Sequence, residues 1–152
     1  MMNGMRLRIW SVIAVALVVT ISAAAMTATE AIKERQEAME GVRNGLMALG
    51  AIAKGSEPFD AEVVKANAEK IADNLAKAAE LFPEGSEAGD VQTWAKAEIW
   101  TDREHFDELL KSTQQAAVEL ESVTESAAFG PALGKLGNGC KSCHDLYRLP
   151  KN

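Results

Sequence analysis

Cys140-Lys141-Ser142-Cys143-His144 is the stretch on which the reading of this chain turns. It is a C-x-x-C-H run, the pattern of covalent c-type haem attachment. Two thiols must add to the two vinyl groups on one edge of a porphyrin. On a helix, residues three apart share a face, so Cys140 and Cys143 reach that edge together. His144, four residues after Cys140, then brings its imidazole under the ring as the proximal iron ligand. The stretch therefore calls for a helix here, and the chain's two cysteines both lie in it.

Three other readings use the same residues. A C-x-x-C pair serves thioredoxin-like redox chemistry, but in a βαβ setting, and no strand pattern flanks this one. Cys140, Cys143, His144 and the distant His105 would supply four zinc ligands, although neighbouring Cys143 and His144 fit one tetrahedral ion poorly. A structural disulfide is the third. His105, beside Glu104 and near Asp107 on an amphipathic segment, reads as a surface histidine before a ligand.

At the other end, residues 1–25 read as a secretory signal. Arg6 and Arg8 form a positive n-region, and Ile9 to Ile21 is an apolar run broken by Ser11 and Thr20. Ser22-Ala23-Ala24-Ala25 offers a small-residue cleavage site. The run is shorter than the about 20 apolar residues of a spanning helix, so an uncleaved anchor is the lesser reading. Export suits the motif, because thioether formation belongs to the far side of the cytoplasmic membrane, and the periplasm is the expected location. Cleavage leaves residues 26–152, one domain's worth. The formal charge of −6 becomes two units more negative once Arg6 and Arg8 go. That argues against nucleic acid and against a membrane surface as partners.

Between the two ends strand signals are nearly absent, and Ala, Glu, Lys, Leu and Met predominate. Four helices are predicted. The first runs from about Thr29, as N-cap, to Lys54, with Ile32, Met39, Val42, Leu46, Leu49 and Ala53 on one face and Gly55 ending it. Gly41, Gly45 and Gly50 in its interior imply close approach by a haem edge or by another helix. The second runs from Asp60, as cap, to about Leu81, burying Val63, Val64, Ile71, Leu75, Ala78 and Phe82. A long connection, residues 83–100, carries Trp94 and Trp100 as anchors. The third helix spans about Thr101 to Ser126, capped by Thr101 or Asp102, with Phe106, Leu109, Leu110, Thr113, Ala117, Leu120 and Val123 as its stripe. The fourth begins at Phe129 to Pro131, with Pro131 in the first turn, and runs to Leu149. Leu133, Leu136, Cys140, Cys143, Leu146 and Tyr147 share one side of it, while Gly134, Gly137 and Gly139 leave room ahead of the motif. The expected fold is all-α: an antiparallel four-helix bundle with the cofactor attached near the C-terminus, between facing helices.

An attachment motif eight residues from the C-terminus resembles that of the cytochrome c-prime family, the class II c-type cytochromes, themselves standard examples of the four-helix bundle. Three further stretches carry the resemblance. In Ile32-Lys33-Glu34-Arg35-Gln36-Glu37-Ala38-Met39, the family's Arg-Gln pair beside the haem propionates falls on Arg35 and Gln36. A guanidinium pairs well with a carboxylate. Gly85-Ser86-Glu87-Ala88-Gly89-Asp90, followed by Glu98-Ile99-Trp100, looks like the family's loop at the haem periphery, pointing to Ser86 and Glu87. Beyond the motif, Tyr147 and Arg148 match an aromatic residue and a basic residue near the proximal pocket.

The resemblance implies haem c, one per chain, and puts Met39 at the family's distal position. Low-spin members take a first-helix methionine as sixth ligand and carry electrons to a periplasmic redox partner. High-spin members leave that site open to nitric oxide or carbon monoxide. Expected here is an electron carrier with His144 and Met39 as axial ligands; the alternative is the gas-binding form. Met47 lies off the Met39 face. No enzyme is expected: no Ser/His/Asp set and no nucleotide-binding glycine loop is present. A homodimer through the first two helices, frequent in the family, is permitted by their small residues.

Overall fold

The first long helix begins where a Thr-x-x-Glu sequence closes a capping box. The structure, a computed structural model, describes residues 26–150; the expected signal, residues 1–25, lies outside the described residues. Helix α1 is Ala28–Ala53. Glu30 N–H donates to Thr27 Oγ1 (3.2 Å), and Thr27 N–H donates back to the Glu30 carboxylate (2.8 Å). The cap is thus Thr27, not Thr29. Thr29 Oγ1 instead accepts from the Asp90 N–H (3.0 Å), tying the long connection to α1. At the far end Gly55, with φ +73°, follows Lys54, and the Gly55 and Ser56 N–H groups return to the Ile52 and Ala51 carbonyls. This 5→2 and 6→1 pairing closes the helix and favours glycine at the left-handed position.

Helix α2, Ala61–Ala79, has the expected Asp60 cap, which accepts from the Glu62 and Val63 N–H groups. Val64, Ala68, Ile71, Ala72, Leu75 and Ala78 face inward. Val63 does not: one residue turns a helix by about 100°, and with Val64 fully buried, Val63 is left exposed. After the connection come a single turn, α3 (Glu98–Thr101), and α4 (Arg103–Glu121). Asp102 sits at the N-cap of α4 but makes no capping bond, because its carboxylate is engaged by Tyr147. Helix α5 is Ser126–Tyr147. The predicted third helix was thus too long and the fourth started late. Ser126 opens α5, and Pro131 lies inside it, where it removes one bond near the start of a 22-residue helix. Val123, assigned to the third helix, lies beyond the end of α4.

The described residues contain no strand, only an isolated antiparallel bridge between Ala95 and Arg148. The four long helices form an all-α bundle in which α1 packs on α2, α2 on α4 and α4 on α5. Leu49, Val64, Ile71, Leu120 and Leu136 are fully buried in its core. The α1–α2 approach explains two interior glycines: a Cβ on Gly45 would lie 2.7 Å from the Ile71 side chain, and one on Gly41 2.6 Å from Asn74. The close neighbour is therefore another helix. The fourth seam, between α1 and α5, is scarcely packed. No helix among the described residues is long and apolar enough to cross a membrane.

Candidate haem site

The cavity lies where α1 and α5 face each other across this seam. Helix α5 contributes Cys143, His144, Tyr147 and the following Arg148; α1 contributes Ile32, Arg35, Gln36 and Met39. Phe82, Trp94, Ile99, Phe106 and Leu110 complete the largely apolar wall of a cavity of about 150 Å³. The helical period accounts for both sets. Tyr147 follows His144 by three residues and Cys143 by four, and Ile32, Arg35, Gln36 and Met39 repeat the same steps.

Cys140 and Cys143 are half-buried, pack against the core, and are not joined in a disulfide. Burial pushes the Cys143 thiol up to about 11, with Cys140 adding to the effect, and burial raises Cys140 as well. Cys140 itself is not among the cavity's lining residues, nor is Glu87. Glu87 is exposed on the connection and acts on the site through its charge, which opposes the desolvation that lowers Arg35. Leu146, expected to share the buried face, is exposed. Of the three glycines ahead of the motif, Gly139 is closely approached, by Thr113, while Gly134 and Gly137 face open space, with nothing within 4 Å of where a Cβ would stand.

Arg35 is only 5% exposed. Its Nη2 donates to the Ser86 carbonyl (2.7 Å), and its Nη1 is buried with no hydrogen-bond partner. Gln36 is exposed at the rim and donates to the Gln92 carbonyl (2.7 Å). Arg148 is exposed and held by the bridge to Ala95. Around that bridge the Lys96 N–H donates to the Tyr147 carbonyl (3.0 Å) and the Leu149 N–H to the Trp94 carbonyl (2.7 Å). Lys96 Nζ reaches the Asp145 and Leu146 carbonyls, so the connection caps the C-terminal end of α5.

Sequence reasoning did not find the group behind Tyr147. The Tyr147 hydroxyl donates to Asp102 (2.6 Å) and lies 3.1 Å from His105 Nδ1. Burial first, then the bond to Asp102, pushes Tyr147 up to about 12. The same bond is the main reason that Asp102 lies below the usual carboxylate range. These partners are more than 40 residues apart along the chain, and no local pattern links them. His105 stays outside the cavity wall. Among the described residues no three His, Cys, Asp or Glu side chains group to hold a metal ion, so the zinc reading finds no support in the structure.

The residues present fit a haem c. Its two thioethers would form on Cys140 and Cys143, its iron would take His144, and an apolar wall would enclose the ring. The unpaired buried donor of Arg35, a residue of the cavity wall, is suited to a carboxylate partner. The profile of the family described as Cytochrome C' matches residues 30–148. The chain belongs to the cytochrome c-prime family. A cytochrome c-556 of Agrobacterium fabrum is 33% identical over 136 residues, covering 86% of this chain and 89% of the relative. The solved cytochrome c-prime of Rhodopseudomonas palustris superposes with a TM-score of 0.76 at 31% identity, covering 80% of this chain and 98% of that one. A nitric oxide complex of a variant cytochrome c-prime from Alcaligenes xylosoxidans gives a TM-score of 0.72 at 31% identity, covering 82% and 98%. As in other members of the family, the cofactor is covalently bound haem c, one per chain. It supplies a one-electron change between ferric and ferrous iron.

Proposed function

We propose that this chain is a periplasmic electron carrier whose haem iron takes His144 and Met39 as axial ligands. One observation carries the reading: Met39 and His144 line the same cavity from two different helices. Met47, the other methionine of α1, is 61% exposed and does not line the cavity. A thioether sixth ligand raises the reduction potential relative to harder ligands. The acidic chain suits a redox partner that presents a basic patch. The function is transfer of electrons, with no enzymatic turnover of a substrate. Placement in the periplasm follows from the signal-like residues 1–25 and the chemistry of thioether formation. The exposed Met47 of α1 and Val63 of α2 are apolar groups that a homodimer through these helices would cover.

The test is an optical spectrum of the matured protein, oxidised and reduced, compared with Met39→Ala. Sharp reduced bands and a weak long-wavelength thioether–iron band, lost in the variant, support the assignment. A low-spin spectrum unchanged by Met39→Ala sinks it.

A second reading is favoured by the nitric oxide complex of the relative above. Met39 also packs against the core residues, including the small cluster of Ala38, Ala78 and Leu81, which suits a pocket wall. On this reading the iron is five-coordinate and high-spin, and binds nitric oxide or carbon monoxide. A ferrous spectrum unmoved by either gas excludes it.

A further inference from the structure

Arg35 is the one buried charged residue among the described residues. Removing a guanidinium from water is costly unless its charge and its donors are satisfied. Here the satisfaction is partial. One nitrogen reaches the Ser86 carbonyl, while Nη1, equally shut off from solvent, has no partner. The remaining support comes from two rings. The Arg35 Cζ lies 4.6 Å from the centroid of Phe82 and 5.5 Å from that of Trp100, both within cation–π range.

Those rings are themselves fixed, and one carbonyl does much of it. The Pro83 carbonyl accepts the Trp100 indole N–H (3.0 Å), the Ser86 hydroxyl (2.7 Å) and the Ser86 N–H (3.2 Å). The turn between Pro83 and Ser86 contains Gly85 at φ +82°, a conformation that favours glycine. It aims the Ser86 carbonyl at Arg35 and anchors Trp100 in the same stroke. Phe82 packs edge-on against Phe106, with centroids 4.8 Å apart, and its carbonyl accepts from Arg103 Nη1 (2.8 Å). The cage is bonded or packed on three sides, and the unpaired nitrogen belongs to a residue that lines the cavity.

A haem carries two carboxylates on the edge opposite its two thioethers. The thioether-forming cysteines are on α5 and Arg35 is on α1. We propose that Phe82 and Trp100 are positioning residues that act on the haem through Arg35: with the Ser86 carbonyl they hold the guanidinium so that Nη1 meets a haem carboxylate. The inference rests on the haem site described above and is independent of the sixth ligand. The acidic side chain acting on Arg35 is Glu87, from the connection.

The test is the reduction potential of the holoprotein as a function of pH. The potential falls as a haem carboxylate loses its proton, and a paired guanidinium moves that step to lower pH. In Arg35→Gln the step is expected to move up by about 1 pH unit, the low end for loss of an adjacent opposite charge. Trp100→Leu should move it in the same direction by about half as much, and Trp100→Phe, which keeps a ring face, should restore it. The double variant Arg35→Gln with Trp100→Leu should move no further than Arg35→Gln alone. A step that survives in Glu87→Gln belongs to the haem carboxylate. The proposal is overturned if Trp100→Leu keeps the parental profile, if the two shifts add, or if the step vanishes in Glu87→Gln. An unmoved step in Arg35→Gln overturns it as well. Phe82→Leu reads the other ring should Trp100→Leu not fold. The axial ligands are read separately, from the spectrum at fixed pH, so either assignment can fail without the other.

Discussion

The two walls of the cavity, α1 and α5, each carry glycines inside the helix, yet they are held in opposite ways. Helix α1 is gripped from Arg35 to Gly45. Gly41 and Gly45 let it press against α2, Arg35 is sealed in its cage, and Gln36 is tied to the connection. Helix α5 buries few side chains beyond Phe129, Leu136 and Tyr147. It packs on α4, and polar contacts add to its hold at the C-terminal end: the bridge at Arg148, Lys96 and the Tyr147–Asp102 bond. The difference fits a division of labour. The α5 wall receives a cofactor that is then covalently tied, so bonds replace burial. The α1 wall touches the cofactor without bonding to it covalently, so its side chains must be placed by packing.

The largest effect should come from removing those bonds. Replacing both Cys140 and Cys143 by Ser is expected to abolish covalent haem, read as complete loss of haem staining after denaturing electrophoresis. Haem still attached in that double variant would break the comparison outright. Smaller, and on the other wall, Gly45→Val should destabilise the bundle by about 1–3 kcal/mol through overpacking. Its Cβ would sit 2.7 Å from Ile71 and 3.1 Å from the Asn67 carbonyl oxygen, and a backbone atom cannot swing aside. Urea unfolding measures it; an unchanged midpoint would mean that α1 is not gripped there.

The α5 wall was largely legible in the sequence because its chemistry is local. Five consecutive residues carry the attachment motif, and the helical period places Tyr147 beside it. On α1 the period groups Ile32, Arg35, Gln36 and Met39, but that this face meets the cofactor was legible only through the family resemblance. The Thr27 cap was there to be read as well: Thr27-Ala28-Thr29-Glu30 is a capping box, and the box decides between two threonines two residues apart. What holds these faces in place was not legible. The Arg35–Ser86 bond joins residues 51 apart, and the Tyr147–Asp102 bond joins residues 45 apart. Nor did composition mark the break between α4 and α5, where Ser122 to Glu125 are as compatible with a helix as with the turn they form.

A titration distinguishes the walls more finely. In the haem-free chain Cys143 ionises at about 11 instead of 9 because it is buried. Between those values the folded chain holds a proton that the unfolded chain has lost, so stability falls as pH rises through this window. Over the range from about pH 8 to about pH 10.5 the full shift would cost about 2 kcal/mol, and partial exposure brings the loss to about 1 kcal/mol. Cys143→Ser should remove it, and so should haem attachment, which converts the thiol to a thioether. Urea midpoints at about pH 8 and about pH 10.5, on either side of the unfolded thiol's titration, measure it. An equal fall in the holoprotein would place the titrating group elsewhere.

The smallest effect tests whether the grip on α1 reaches its last turn. Gly50 lies in the last turn of α1 and has no neighbour within 4 Å of an added Cβ. Nothing in the packing there requires glycine, and its cost is the backbone freedom it loses on folding. Gly50→Ala is therefore expected to stabilise the chain by about 0.5–1 kcal/mol, opposite in sign to Gly45→Val on the same helix. Thermal unfolding of the two variants side by side reads both signs. A destabilising Gly50→Ala would mean that another surface approaches this turn in solution, and the grip on α1 would then extend to its last turn.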